Sequence, residues 1–209
     1  MERTENSVWI NEKYFIFICK YKMDNIVLQE LENIKFPVNR SRNNISSTPT
    51  QSFCLGHVNY RGQKSVGYKT RGPSKHNDRF PALYKLLQDF IKEHNKDFEY
   101  TTIQVNKNIL CLPHVDKNNV GPSYAIALGD FDGGKLAIQG KQYDIKNRWK
   151  MFDGRLGHWT NPFEGTRYSL IYFTHTFKPP SGHWRNITVT KEGMYKKGEK
   201  IVDYTIEDS

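Results

Sequence analysis

The chain has 209 residues and a mass of 24.5 kDa, enough for one full hydrophobic core and short for two, so a single domain with terminal extensions is expected. Its mean hydropathy is −0.73, and its longest apolar stretch, Tyr14 to Cys19, falls far below the ~18 residues of a membrane span, which excludes a spanning helix from the expected elements. A net charge of +9 with an isoelectric point near 9.3 favours polyanionic partners, nucleic acid first among them, although a basic soluble protein without such a ligand has the same composition.

The N-terminal residues Met-Glu-Arg-Thr-Glu-Asn lack the basic segment and apolar run of a secretory signal, so an intracellular location, cytoplasm or nucleus, is expected. Cys19, Cys54 and Cys111 are odd in number, widely spaced and form no Cys-x-x-Cys pair. That argues against a disulfide framework and a structural zinc, and the three read as reduced, buried thiols.

In chain order, residues 1–36 read as an N-terminal extension packed on the core, with a strand over Tyr14 to Cys19 and a short amphipathic helix over Ile26 to Ile34. Residues 37–51, from Pro37 to Gln51, are polar, turn-rich and aperiodic, which predicts an exposed loop or linker. Arg61 to Arg79 gathers Arg61, Lys64, Lys69, Arg71, Lys75 and Arg79 in a basic loop that suits a polyanion and equally suits a solvated surface. The clearest helix is Pro81 to His94, with Leu83, Leu86, Leu87, Phe90 and Ile91 on one stripe and Pro81 in the first turn. Strands are then predicted over Tyr100 to Leu112, Ser123 to Leu128, Lys135 to Gln139, Arg148 to Phe152 and Tyr168 to Thr174, broken by turn chemistry such as Asp132-Gly133-Gly134. A helix followed by a run of short strands is an α+β layout. The main domain is bounded at 52–176. Residues 177–209 form a C-terminal extension with weak strand signals at Ile187 to Val189 and Ile201 to Tyr204.

Within the strand region, His114-Val-Asp116 sets an imidazole and a carboxylate at i and i+2, positions that share one face of a strand. His158, in Gly-Arg-Leu-Gly-His-Trp-Thr, supplies a third ligand from a neighbouring strand. Two His and one carboxylate on one face leave coordination positions open, as non-haem Fe(II) oxygenases require to bind co-substrate and O₂. Arg167-Tyr-Ser169 follows, ahead of the apolar run Leu170 to Phe173. A guanidinium and a hydroxyl sharing a face grip a carboxylate such as that of 2-oxoglutarate, a contact worth about 1.5–3 kcal/mol. His57, His76, His94 and His183 fall in loops or on a helix surface and are given no ligand role, whereas His175 ends the Arg167 strand and can line the pocket.

The order His-x-Asp, distal His, Arg-x-Ser resembles the double-stranded β-helix (jelly-roll) superfamily of Fe(II)/2-oxoglutarate oxygenases over about Tyr100 to His175. Thr-Arg167-Tyr-Ser169-Leu-Ile-Tyr-Phe-Thr-His175 looks like the Arg-x-Ser-Leu strand of the TET and J-binding-protein group. His114-Val-Asp116-Lys-Asn-Asn119 is similar to the first motif of its J-binding-protein-like branch. The resemblance implies a jelly-roll core flanked by N-terminal helices, with His114, Asp116 and His158 as Fe(II) ligands and Arg167 with Ser169 anchoring 2-oxoglutarate. Asn106 is similar in placement to an Asn that touches 2-oxoglutarate in related enzymes. Asn118, Asn119, Trp159 and Tyr168 are candidate substrate contacts, and Trp149 a further ring able to stack on a base. The implied reaction hydroxylates a C–H bond with Fe(II), 2-oxoglutarate and O₂, the leading substrate being a methyl group on a nucleobase of DNA or RNA. A base in a duplex would have to be flipped out to reach such a site. A protein side-chain hydroxylase with the same metal site, and a catalytically inactive basic nucleic-acid-binding module, stay open as alternatives. The chain lacks both the cysteine-rich region of animal TET proteins and the separate DNA-binding domain of J-binding proteins, which leaves the substrate open.

Overall fold

The structure is a computed structural model that describes residues 12–42, 45–60, 70–175, 187–189 and 195–197. Its elements are α1 (Glu12–Asn33), β1 (Val38–Asn39), β2 (Thr50–Tyr60), β3 (Thr70–Pro73), α2 (Lys75–Arg79), α3 (Pro81–His94), β4 (Thr102–Lys107), β5 (Asn119–Leu128), β6 (Phe131–Gly133), β7 (Leu136–Ile138), β8 (Lys141–Tyr143), β9 (Lys150–Phe152), β10 (His158–Thr160), β11 (Phe163–Gly165), β12 (Tyr168–His175), β13 (Ile187–Val189) and β14 (Tyr195–Lys197). A seven-stranded antiparallel sheet runs β1-β2-β4-β12-β5-β9, with β3 on β2. A smaller sheet, β10-β7-β8, is extended beyond β10 by a bridge between His114 and His158.

Side-chain alternation on the large sheet explains why both of its faces are covered. On β4, β5 and β12 the residues Ile103, Val105, Tyr124, Ile126, Leu128, Tyr168, Leu170 and Tyr172 join Leu83, Leu87, Phe90 and Ile91 of α3 and Val27 and Leu31 of α1 in one core. The intervening residues Ala125, Ala127 and Ile171, with Phe152 of β9, pack on Leu136 and Ile138 of the small sheet in a second core. Two antiparallel sheets face to face, with helices behind the larger one, make the expected α+β, double-stranded β-helix arrangement. Because Leu87 is fully buried against the sheet, Leu87→Ala is expected to lower unfolding free energy by about 2–5 kcal/mol, read from urea denaturation.

Four expectations change. The strand predicted over Tyr14 to Cys19 and the helix over Ile26 to Ile34 are one helix, α1: the intervening Lys-Tyr-Lys-Met-Asp-Asn contains no Gly or Pro to stop it. The segment 37–51 is not a free linker, since Val38 and Asn39 pair with Gln51 and Thr50 and Ile45 is fully buried. The strand predicted over Tyr100 to Leu112 covers only Thr102–Lys107, because Asn108 adopts a left-handed conformation (φ 52) and turns the chain. The basic segment is divided: Arg71 lies on β3, Lys75 and Arg79 are exposed on α2, and Arg61, Lys64 and Lys69 lie outside the described residues. Of the tail signals, Ile187–Val189 forms β13, while Ile201 to Tyr204 lies outside the described residues. Among the described residues no helix is long and apolar enough to cross a membrane.

Candidate metal and carboxylate site

Between the two sheets lies a cavity of about 310 Å³, lined from β4 by Gln104 and Asn106, from β12 by Ser169, Ile171 and Phe173, and from the opposite wall by His114, Asp116 and His158. The ligand-type atoms of those last three side chains all lie within 4.8 Å of one another. Their closeness is built by the backbone: His114 N–H donates to the His158 carbonyl and His158 N–H to the His114 carbonyl, both at 3.0 Å. His114 therefore sits after the end of β4 on a single bridge, and Asp116 is placed by a loop. Its N–H donates to the Gly154 carbonyl at 2.8 Å.

The imidazoles are oriented alike. His114 Nδ1 lies 2.7 Å from the Leu112 carbonyl and His158 Nδ1 lies 2.8 Å from the Leu156 carbonyl. A carbonyl only accepts, so each Nδ1 carries the hydrogen and each Nε2 keeps its lone pair for a cation. His158 Nε2 lies 3.7 Å from Asp116 Oδ2, and the ring centroids are 4.2 Å apart. Burial and the neighbouring His158 lower the pKa of His114, opposed by the Leu112 carbonyl and Asp116. Two imidazoles with Nε2 turned toward one carboxylate are a donor set for a divalent transition metal.

Gly154 packs tightly on Asn119, whose N–H donates to the Asp116 carbonyl. A Cβ on Gly154 would come within 2.8 Å of Asn119 Nδ2, 3.3 Å of Ser123 Oγ and 3.5 Å of Asp116 Oδ2, whereas a Cβ on Gly157 would meet nothing within 4 Å. Gly154→Ala is expected to weaken Mn(II) binding about tenfold while Gly157→Ala leaves it unchanged, measured by titration calorimetry. Equal affinities in the two variants would show that the Gly154 contact does not matter.

Across the cavity, Arg167 is 3 % exposed. Its guanidinium carbon sits 5.5 Å from the Phe131 ring centroid and 5.6 Å from that of Phe163. Its Nε has no hydrogen-bond partner, and among the described residues no carboxylate pairs with it. Burial lowers its pKa to about 10, which leaves it charged at neutral pH. Ser169 Oγ accepts from Asn106 Nδ2 at 3.1 Å, which leaves its own hydrogen to donate. Asn106 Oδ1 accepts from Gln104 Nε2 at 3.0 Å and from Arg42 Nη1 at 3.1 Å.

The structure thus brings His114, Asp116, His158, Arg167, Ser169 and Asn106 to one cavity, together with Trp159 and His175. Trp159 Nε1 donates to Asn161 Oδ1 at 3.0 Å. Three expected substrate contacts do not line it. Tyr168 is 2 % exposed in the core facing the helices, as alternation between Arg167 and Ser169 requires. Asn119 is buried behind the wall, its N–H donating to the Asp116 carbonyl at 3.0 Å. Asn118 is exposed and off the cavity wall. Trp149 likewise packs on Phe90, His94 and Tyr172 on the helix side.

Sequence reasoning missed Arg42, Gln104, Cys54 and Cys111, all cavity-lining. Gln104 was accessible by the same i, i+2 rule applied to Asn106; Arg42 carried no signal beyond its charge. Cys54 and Cys111 are free thiols as expected but only partly buried.

No protein-family model and no curated protein sequence matches the chain. Among solved structures, it is similar to NgTET1 in complex with 5mC DNA (13 % identity, TM-score 0.48, covering 80 % of this chain and 69 % of that one). It is similar to a 2OG-Fe(II) oxygenase family oxidoreductase from Burkholderia pseudomallei (16 %, TM-score 0.46, 71 % and 76 %). It is also similar to OsALKBH1 (14 %, TM-score 0.46, 76 % and 94 %).

Proposed function

We propose that this chain is a non-haem Fe(II) oxygenase that consumes 2-oxoglutarate and O₂ to hydroxylate a C–H bond, the preferred substrate being a methyl group on a nucleobase of DNA or RNA. One observation carries the reading: a two-His, one-carboxylate cluster with both Nε2 lone pairs free faces the same cavity as a buried guanidinium without a counter-ion. A buried charge without a partner is costly unless a ligand completes it. A dicarboxylate that chelates a metal through one end and meets Arg167 at the other supplies what both ends lack.

His114, Asp116 and His158 hold the metal, and the carbonyl-bound Nδ1 atoms of the two histidines keep their rings from turning. When bound, Fe(II) and 2-oxoglutarate supply the oxidising chemistry, the co-substrate leaving as succinate and CO₂. Arg167 holds the far carboxylate and Ser169 donates its hydroxyl hydrogen to it. Asn106 fixes that hydroxyl from behind. Ile171, Phe152 and Leu136 line the cavity with apolar surface, which keeps water from the reacting centre. The nucleic-acid substrate rests on the +9 net charge and on the resemblance of the Arg-x-Ser strand to nucleic-acid base oxygenases; Trp159 is the one proposed stacking ring that faces the cavity.

Succinate formed from 2-oxoglutarate with Fe(II) and ascorbate, in air and anaerobically, tests this with methylated DNA, methylated RNA, unmodified nucleic acid and no substrate in parallel. Oxygen-dependent succinate stimulated by a methylated nucleic acid is the expected result. Oxygen-dependent succinate without that stimulation would remove the nucleobase and turn the search to proteins. No succinate from folded, iron-loaded protein would overturn the enzyme reading in favour of a binding module.

A further inference from the structure

Arg42 is a charged residue of the cavity to which the proposed chemistry gives no part. It reaches the cavity from the loop after β1, and that loop is built. Asn39 Oδ1 accepts from Ser41 N–H at 2.9 Å and Ser41 Oγ at 2.8 Å, while the Arg42 carbonyl accepts from Ile45 N–H at 3.1 Å and Ser46 N–H at 3.2 Å. Ile45, fully buried, anchors the far side. These bonds tie the Arg42 backbone to Ile45 and Ser46 and brace Ser41 on Asn39.

The side chain has one hydrogen bond, Nη1 to Asn106 Oδ1 at 3.1 Å, and among the described residues no carboxylate pairs with it. Asn106 does not depend on that bond, because Gln104 Nε2 donates to the same oxygen at 3.0 Å. A guanidinium offers five donors, and a neutral amide oxygen takes one. Arg42 also acts electrostatically on Cys54, Cys111 and His114, which places its charge along the cavity wall rather than out in solvent.

Charge balance decides what Arg42 is for. Imidazoles aside, the charged side chains lining the cavity among the described residues are Arg42, Arg167 and Asp116, since desolvation raises the pKa of both lining thiols, Cys111 and Cys54, the latter to about 11. Fe(II) and Arg167 together offset Asp116 and a doubly charged 2-oxoglutarate. Arg42 remains in excess, half-buried, in a cavity that faces the substrate.

We propose that Arg42 is a specificity-determining residue that receives an anionic oxygen of the substrate, a phosphate of the nucleotide whose base is oxidised. This rests on the oxygenase reading of the same cavity. A guanidinium matches phosphate oxygens with two parallel N–H donors, and the chain's +9 charge attracts a polyanion such as a nucleic-acid backbone.

The test uses the full chain loaded with Mn(II) and 2-oxoglutarate, without oxygen, as wild type, Arg42→Gln, Arg42→Lys and Lys85→Gln. Lys85, 71 % exposed on α3, controls for the loss of one positive charge. Dissociation constants are measured for 2-oxoglutarate, for a single-stranded oligonucleotide containing 5-methylcytosine, N6-methyladenine and thymine, and for a glutamate-rich peptide. Arg42→Gln is expected to weaken the oligonucleotide about tenfold or more beyond Lys85→Gln, with 2-oxoglutarate affinity changed less than about twofold, and Arg42→Lys to recover part of the loss. Weakened 2-oxoglutarate with unchanged oligonucleotide would assign Arg42 to the co-substrate and overturn the proposal. So would an oligonucleotide loss no larger than that of Lys85→Gln, or wild type that binds only the peptide. Wild type that holds 2-oxoglutarate but no oligonucleotide overturns the phosphate receptor and leaves the oxygenase standing, whereas wild type that holds neither Mn(II) nor 2-oxoglutarate overturns both.

Discussion

Asp116→Ala is expected to lower Mn(II) or Fe(II) affinity at least about 100-fold and to abolish oxygen-dependent succinate formation, because losing a direct ligand exceeds the 10–100-fold effect of losing an outer contact. Asp116 is the cleanest of the three ligands to remove. Its side chain is 40 % exposed, against 8 % for His158, and its backbone N–H stays bonded to the Gly154 carbonyl. Little folding free energy is therefore at stake, and lost metal binding will not be confused with lost structure. His114→Ala should have the same effect on turnover, with a larger stability change because its ring packs on His158. The fold is monitored by circular dichroism and the metal by titration calorimetry. Metal affinity unchanged in Asp116→Ala would sink the ligand assignment, and with it the reading of the cavity as an iron site.

The parts of this architecture that were legible in the sequence are those governed by a strict period. Pro81–His94 announces itself by the Leu83, Leu87, Phe90, Ile91 stripe and appears with those bounds. The pairing of Arg167 with Ser169 on one face follows from the two-residue repeat of a strand, and the same repeat sends Tyr168 to the opposite core. Aromatic character suggests Tyr168 as a substrate contact, but its place in the repeat between Arg167 and Ser169 turns it to the helix side. What the sequence could not show is closure between distant segments. His114 and His158 meet through one reciprocal pair of backbone hydrogen bonds, and nothing local to either residue encodes that pairing. Arg42 reaches the cavity because a loop that looked free is pinned by β1 and by Ile45, a tertiary effect that composition hides. Only the N-terminal part of α1 reads as a strand in the sequence, and for the opposite reason: aromatic and β-branched residues near Tyr14 favour a strand locally, yet nothing in the following residues ends the helix that packs on α3.

The second large effect concerns Arg167, where binding and stability should move in opposite directions. Burial lowers its pKa from the ordinary arginine range to about 10, so at neutral pH holding the charge in the folded, ligand-free protein costs on the order of 3 kcal/mol, partly offset by the faces of Phe131 and Phe163. For a base whose folded pKa is depressed, that cost is fully present below the folded value and shrinks as pH rises through it. Arg167→Met keeps an unbranched side chain between the two rings and removes the charge. The ligand-free variant is therefore expected to be as stable as wild type or more stable by about 1–2 kcal/mol at pH 7 in urea denaturation. Wild type should gain on it as pH rises above about 10. The same substitution removes the partner of the distal carboxylate, so 2-oxoglutarate affinity in the Mn(II)-loaded protein should fall about tenfold to hundredfold. The rise in melting temperature that 2-oxoglutarate gives wild type should fall with it. An Arg held for structure alone would show the reverse: destabilisation on replacement and no change in 2-oxoglutarate affinity. A buried guanidinium that weakens the empty protein and strengthens the loaded one is the signature of a binding group, and the two measurements together separate that role from packing.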